Sequence, residues 1–339
     1  MNNILIRTAG GRAKEKGLGL GHIYRVINLA EELKNNKIYF SLEDFGGAKE
    51  ILKKNGYDKI ETITNEIKTE QDYENTKLQI KKWKIDIVII DRYKISKFYV
   101  KKLSKIIKVI IISDLFDLNF KADLIINGFI GFENQIIKNK INSKFMIGPN
   151  FQILNKKFSK INKTKQKKWD ILISFGGYDE KNIMKMILKI LPDYLDNLKF
   201  KIIFGPIAKK NNELNNLQRK YPNNIKIKNS IKNMAKEMST SKYGLCTGGL
   251  TTYEFSCMKI PIGIICDENH QKITAKQWEK LGVAKNLGVF SKNSEYKIRK
   301  FMDEIVNGKI NVSKYGKIVD GLGSKRIANE ILKMKGKKL

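Results

Sequence analysis

Apolar positions along this chain follow two rhythms. Short, nearly continuous apolar runs, such as residues 4–6 and 85–90, alternate with stretches in which apolar residues recur every three or four positions. The first rhythm suits a strand buried on both faces of a parallel sheet, and the second a helix with one face on a core. The pattern predicts strands over 4–6, 38–42, 59–62, 85–90, 109–112 and 124–126. Helices are predicted after residue 22, where Ile23, Val26, Ile27, Ala30 and Leu33 recur at helical spacing, and over 48–54 and 72–83. Residues 150–168 are rich in Lys and Asn with little apolar periodicity, as a linker would be. A second series then begins, with strands over 170–174, 201–204, 225–227, 243–246 and 262–265. Its helices fall over 182–195, 211–221, 231–238, 251–258, 271–281 and, last, 323–334.

Two successive strand–helix arrays predict an α/β protein with two doubly wound, Rossmann-like domains, 1–150 and 151–339, facing a cleft that would hold the ligand. The last helix could sit on either domain. A length of 339 residues suits two such domains, and 42% hydrophobic residues with only five prolines mark a globular chain. No apolar run reaches membrane-span length and the first ten residues do not read as a secretory leader. The expectation is therefore a cytoplasmic protein without stable membrane insertion. Cys246, Cys257 and Cys266 lie in apolar segments without metal-type spacing, which predicts buried reduced thiols and no metal site.

Charge alters this picture less than its size suggests. The net charge of +32 invites a nucleic-acid partner, because Lys and Arg neutralise phosphates. Only seven of the 66 basic residues are Arg, the side chain suited to bidentate phosphate contacts, and the Lys are spread through nearly every segment. We therefore expect a solvated basic surface that attracts an anionic small substrate, with no nucleic acid as partner. The sequence leaves the oligomeric state open.

Candidate chemistry gathers at strand ends. Residues 17–25 read Gly-Leu-Gly-Leu-Gly-His-Ile-Tyr-Arg. Glycines let backbone approach a ligand, and the first N–H groups of a helix favour negative charge. His22 would stand at that helix start. An imidazole titrates near ~6.5 and can trade a proton at neutral pH, so His22 is the first candidate general base. Capping or packing a turn is the alternative. Asp91-Arg92-Tyr93, Ser113-Asp114 and Asn127 each follow a predicted strand, where open α/β sheets bind ligands.

In the second half, Phe175-Gly176-Gly177 closes one strand and Thr247-Gly248-Gly249-Leu250-Thr251-Thr252 leads into a helix. Two glycines and two threonines at a helix start can cradle a phosphate, and Glu254 one turn on can accept both hydroxyls of a ribose. A plain capping box, Thr251-x-x-Glu254, accounts for the same residues without a ligand. Asn269-His270-Gln271 is a third polar turn, or simple loop. Neither glycine cluster has the Gly-x-Gly-x-x-Gly spacing of dinucleotide folds, although Glu43 and Asp44 lie about 20 residues after the first, and no P-loop is present.

These segments together resemble a known family. Ile6-Arg7, the run from Gly19 to Arg25, Asp91-Arg92-Tyr93, Gly148-Pro149-Asn150-Phe151, Ser174-Phe175-Gly176-Gly177, the run from Gly248 to Glu254, and Asp320-Gly321-Leu322-Gly323 occur in the order found in the UDP-2,4-diacetamido-2,4,6-trideoxy-β-L-altropyranose hydrolases of pseudaminic acid biosynthesis. The second half also resembles the N-acetylglucosaminyltransferase of peptidoglycan synthesis. The resemblance implies a GT-B architecture with UDP held mainly by the second domain. It implies water attack at the anomeric carbon with inversion, releasing UDP and the free sugar, with no cofactor and no essential metal.

Carried over residue by residue, the resemblance makes His22 the group that activates water and sets Tyr93 facing the sugar. Gly248, Gly249, Thr251 and Thr252 would hold the diphosphate, Glu254 the ribose, and Gln271 the nucleotide side. It extends substrate or UDP contacts to Arg7, Gly19, Gly21, Asn127, Gly176, Gly177 and His270. The chain departs from the family pattern at Thr8-Ala9-Gly10, where an Asp is usual, and in the length of the loop before residue 17. It departs again at Arg92 and His270, where His and Asn are common. These departures surround the sugar, so they bear on the substrate more than on the reaction. A UDP-sugar glycosyltransferase on the same fold is the alternative activity.

Overall fold

The computed structural model describes residues 1–11, 19–64, 67–92, 94–114, 118–133, 143–161, 166–176, 179, 181–205, 212–229, 231–269, 271–310 and 318–334. The chain divides into two compact units. One comprises Met1–Asn155 with Leu322–Leu339, the other Lys156–Gly321.

The first unit runs β1 (Asn3–Gly11), α1 (Gly21–Glu32), β2 (Lys37–Phe45), α2 (Ala48–Lys54), β3 (Ile60–Ile63), α3 (Thr69–Trp83), β4 (Ile87–Asp91), α4 (Lys97–Leu103), β5 (Lys108–Ile112), β6 (Leu124–Asn127) and β7 (Lys144–Ile147). Its seven parallel strands are ordered β3-β2-β1-β4-β5-β6-β7, so the winding reverses between β1 and β4. That reversal opens a crevice at the strands' carboxyl ends, the usual ligand position in such sheets. Every residue of β4 is buried, which is why its sequence is continuously apolar until Asp91. In register, Thr8 of β1 lies opposite Asp91.

Two elements of this unit go beyond the pattern. β7 buries fully only Met146, too little for an apolar run, and α4 has just seven residues, capped by Ser96, whose Oγ accepts from the Tyr99 N–H. The stretch read as a linker is firmly attached, with Ile153, Leu154 and Phe158 all buried. The C-terminal helix, Gly323–Leu332, belongs to this unit and packs against α1. Gly323 at its start lies close against the Gln152 backbone, where a Cβ would fall 2.2 Å from the carbonyl oxygen. Ser324 Oγ donates to the Leu154 carbonyl at 2.7 Å beside it.

The second unit continues with α5 (Lys157–Lys160), β8 (Trp169–Ser174), α6 (Ile183–Ile190), β9 (Phe200–Phe204), α7 (Asn212–Lys220), β10 (Ile225–Asn229), α8 (Met234–Ser239), β11 (Ser241–Thr247), α9 (Leu250–Cys257), β12 (Ile262–Cys266), α10 (Gln271–Lys280), β13 (Ala284–Val289) and α11 (Ser294–Val306). Six parallel strands are ordered β10-β9-β8-β11-β12-β13, again reversing beside the first strand of the unit. The helix predicted over 182–195 stops at Ile190 and continues as a 3-10 turn, because Pro192 has no N–H to donate. β13 and α11 were not predicted. β13 is half exposed and carries Gly288, which hides its pattern, whereas α11 buries Ile298, Phe301, Met302 and Ile305 at plain helical spacing.

Candidate active site

The chemistry-bearing residues of the first unit form two charge clusters on opposite faces of β4. The first is built around His22, the second residue of α1. Its Nδ1 lies 2.7 Å from Asp91 Oδ1. Asp91 is fully buried, and although burial favours its protonated form, Arg25 and His22 hold its pKa down to about 2. An ionised carboxylate at this distance favours a proton on Nδ1, and in that tautomer the imidazole donates to Asp91 and carries its lone pair on Nε2. Arg25 Nη2 also approaches the same Nδ1 at 2.9 Å, and Nη2 and Nε donate to Asp91 at 2.5 and 2.9 Å. Arg25 also pairs with Asp114 through Nη1. The His22 side chain is 13% exposed, enough to meet solvent or substrate at one edge.

The helix start fits this geometry. No side chain caps α1 and no acidic residue occupies its first turn, so its N–H groups keep their positive field. Among the described residues nothing lies within 4 Å of a Cβ built on Gly19 or Gly21, whereas a Cβ on Gly10 would fall 2.5 Å from Ile23 Cγ1. Thr8-Ala9-Gly10, the departure from the family pattern, therefore lets α1 seat closely on β1. Thr8 Oγ1 is buried there and makes no hydrogen bond among the described residues.

The second cluster contains Arg7, which is fully buried. Arg7 Nε and Nη2 donate to both oxygens of Asp72, at 3.0 and 3.1 Å, Nη2 also reaches Glu43 at 3.1 Å, and Nη1 donates to the Thr8 carbonyl. Arg92 spans the same two carboxylates, at 2.7 Å to Asp72 and 2.6 Å to Glu43. Two cations and two carboxylates thus neutralise one another, as burial of charge demands. Arg7 lies beneath Arg92 in this arrangement, with its guanidinium turned to Asp72 and Glu43. Asp44, next to Glu43, spends its carboxylate capping α2 through the Ala48 and Lys49 N–H groups. Asn127, fully buried, accepts the Phe129 N–H and shapes the turn after β6.

In the second unit the turn between β11 and α9 is held from behind by α10. Gln271 Oε1 accepts the Gly248 N–H at 2.9 Å and the Asp267 N–H at 3.3 Å. A Cβ on Gly248 would lie 2.7 Å from Gln271 Cβ, so glycine is required for this seating. Thr252, also fully buried, donates to the Gly249 carbonyl and accepts from Trp278 Nε1 at 3.1 Å. Gln271 and Thr252 therefore brace the turn. Gly249 faces open space, and the Thr251 hydroxyl has no hydrogen-bond partner among the described residues. With the uncapped N–H groups that begin α9, they leave polar groups of this turn unspent, as an anion site at a helix start would need.

The capping-box alternative does not occur. α9 starts at Leu250 with Gly249 as its N-cap and no side-chain cap, leaving Glu254 inside the helix. Its carboxyl makes no hydrogen bond among the described residues, and burial pushes its pKa up to about 8. The sign follows directly. The unfolded chain loses this proton near pH ~4.3, the folded chain near 8, so the group's ionisation costs stability progressively across that window. Glu254→Gln should raise the melting temperature at pH 8.5 and leave it nearly unchanged at pH 5. Equal shifts at both pH values would refute the buried neutral carboxyl.

Gly176 follows β8 with a φ of +78° and open space around it. Tyr93, Gly177 and His270 lie outside the described residues. Among the described residues no group of His, Cys, Asp and Glu is arranged to hold a metal ion, and no helix is long and apolar enough to cross a membrane. Sequence reasoning did not pair Asp91 and Arg25 with His22. The signals were Asp91 at the end of a predicted strand and Arg25 three residues from His22, one helical turn away.

No protein-family model matches the chain. It is 29% identical over 273 residues to an uncharacterised protein of Methanocaldococcus jannaschii, covering 75% of this chain and 54% of that protein, so the match spans about half of that relative's length. It is 24% identical over 326 residues to the spore coat polysaccharide biosynthesis protein SpsG of Bacillus subtilis, covering 91% and 93%. Over 281 residues it is 27% identical to the UDP-2,4-diacetamido-2,4,6-trideoxy-β-L-altropyranose hydrolase of Campylobacter jejuni, covering 78% and 93%. Among solved structures, MurG of Acinetobacter baumannii superposes with a TM-score of 0.64 at 16% identity, covering 98% of this chain and all of that one. The S. aureus MnaA–UDP co-structure gives 0.63 at 14% identity, with both chains fully covered. The chain therefore has the GT-B class of α/β fold, two parallel-sheet units of seven and six strands.

Proposed function

We propose that this protein is an enzyme that hydrolyses a UDP-sugar, with UDP-2,4-diacetamido-2,4,6-trideoxy-β-L-altropyranose as the substrate. The observation that carries the reading is the Asp91–His22 pair, in which an ionised, buried carboxylate fixes the imidazole tautomer and leaves Nε2 as a proton acceptor. Nε2 takes a proton from water as the water oxygen bonds to the anomeric carbon. The C–O bond to the diphosphate breaks on the opposite face, and its electron pair leaves with UDP. The N–H groups at the start of α9, with Gly249 and the Thr251 hydroxyl, take up the charge that develops on the leaving diphosphate. Glu254 receives the ribose hydroxyls, which favour its ionised form and draw its pKa back down. The names of the Campylobacter and Bacillus relatives, a UDP-sugar hydrolase and a polysaccharide biosynthesis protein, support a role in nucleotide-sugar metabolism. Tyr93 keeps the sugar-facing role, and His270 the substrate contact, that the family resemblance implies.

The test is UDP release from a panel of UDP-sugars, with and without sugar or lipid acceptors. Release from the diacetamido-altrose donor with water as sole acceptor is the expected result. Release only when an acceptor is present would make the chain a glycosyltransferase on the same fold.

A further inference from the structure

The first unit contains a cavity of 250 Å³ at the carboxyl end of β4, on the face opposite His22. Its position follows from strand alternation. Ile90, Asp91 and Arg92 are consecutive, so Ile90 and Arg92 face the α3 and α4 side while Asp91 faces α1. Ile90 belongs to the buried cluster under those two helices, and Asp91 holds His22. The cavity and the His22–Asp91 pair are therefore neighbours across a single strand.

Its lining combines apolar surface with a guanidinium. Ile67, Ile90, Ile95 and the Tyr99 ring supply the apolar part, because the Tyr99 hydroxyl is already bonded to Thr76 Oγ1 at 2.8 Å. Arg92 spends one N–H on Asp72 and one on Glu43, which leaves three of its five donors without an acceptor among the described residues. Its charge, with that of Arg7, is offset by those same carboxylates. Lys94 also lines the cavity, but it is exposed and sits in water-like surroundings where its field is weak. A carboxylate or phosphate entering here would meet Asp72 and Glu43 behind the guanidinium. A neutral carbonyl would accept from Arg92 without that repulsion, and a small alkyl group attached to it would cover the isoleucines. The volume is below the roughly 300–1,000 Å³ of sites that enclose a whole drug-sized ligand, so one substituent and part of a sugar ring fit, and a nucleotide does not.

The geometry points to this cavity as the pocket for an acylamino substituent of the sugar, with Arg92 as a specificity-determining residue that donates to the acyl carbonyl. The inference rests on the UDP-sugar reading and names which part of the sugar the first unit recognises. It also gives a use to Arg92, which departs from the histidine common in the similar family.

The experiment compares binding of UDP, of the diacetamido UDP-sugar, and of two analogues in which one or the other acetamido group is replaced by hydroxyl. Affinities are measured for the wild-type chain and for Ile67→Trp, which fills the cavity without touching the ion cluster. Ile95→Phe serves as a second filling variant should Ile67→Trp melt early. In the wild type, loss of one particular acetamido group should weaken binding at least tenfold while UDP affinity is common to all. In the filled variants that difference should disappear, with UDP affinity unchanged within about twofold. A tenfold preference that persists after filling would place acyl recognition elsewhere and overturn the assignment, as would a wild type indifferent to both deletions. Tighter binding of an analogue carrying an N-oxalyl group, lost on filling, would make the cavity an anion site and overturn its neutrality. UDP that fails to bind the wild-type chain would instead remove the nucleotide reading, and the pocket assignment with it.

Discussion

His22→Ala is expected to lower UDP release by about 10²- to 10⁴-fold, the range that a positioned general base contributes. UDP affinity should change little, because the proposed diphosphate contacts come from the start of α9 in the other unit. The fold should survive as well, since Asp91 keeps both of its bonds to Arg25. Added imidazole should restore part of the rate by supplying a base in the vacated volume. A parallel loss of UDP affinity and of thermal stability would show that His22 serves structure and would sink the base assignment.

Asp91→Asn should reduce turnover by about 10³- to 10⁴-fold while keeping the shape of the site. The amide can turn its NH2 toward Nδ1, which moves the imidazole proton to Nε2 and removes the lone pair from the reacting side. The variant also leaves the buried Arg25 short of its main partner, and breaking a buried pair from one side costs about 3–5 kcal/mol. The pH dependence separates the two effects. Asp91 has a folded pKa depressed from 3.8 to about 2, so it contributes roughly 2 kcal/mol that is fully present above pH 4 and is lost as pH falls through 2. The stability gap between wild type and Asp91→Asn should therefore narrow from pH 5 to pH 2 in denaturant titrations. A gap independent of pH over that range would argue against an ionised Asp91.

Periodicity alone made most of the fold legible. Buried parallel strands write continuous apolar runs, and α1 and α6 write helical spacing, because each element must bury one side whatever its neighbours are. Of the elements that escaped, β7 and β13 are strands whose burial is partial and α4 is only seven residues long, whereas α11 carries plain helical spacing. His22, the Gly248-Gly249 turn and Glu254 stood out as candidates, since glycines before a helix and one of only two histidines are local signals.

What lies far apart in sequence only the tertiary structure could decide. Asp91 meets His22 across 69 positions and Asp72 meets Arg7 across 65, pairings set by strand order and by which face of β4 each side chain takes. Arg7 sits beneath a pair of carboxylates, and Thr252 and Gln271 spend their polar atoms holding the turn, because a buried polar group must find its partner inside the protein. Sequence spacing determined which residues start helices and end strands. Only the packing of one strand against another determined which of them keep a donor or a lone pair for a substrate.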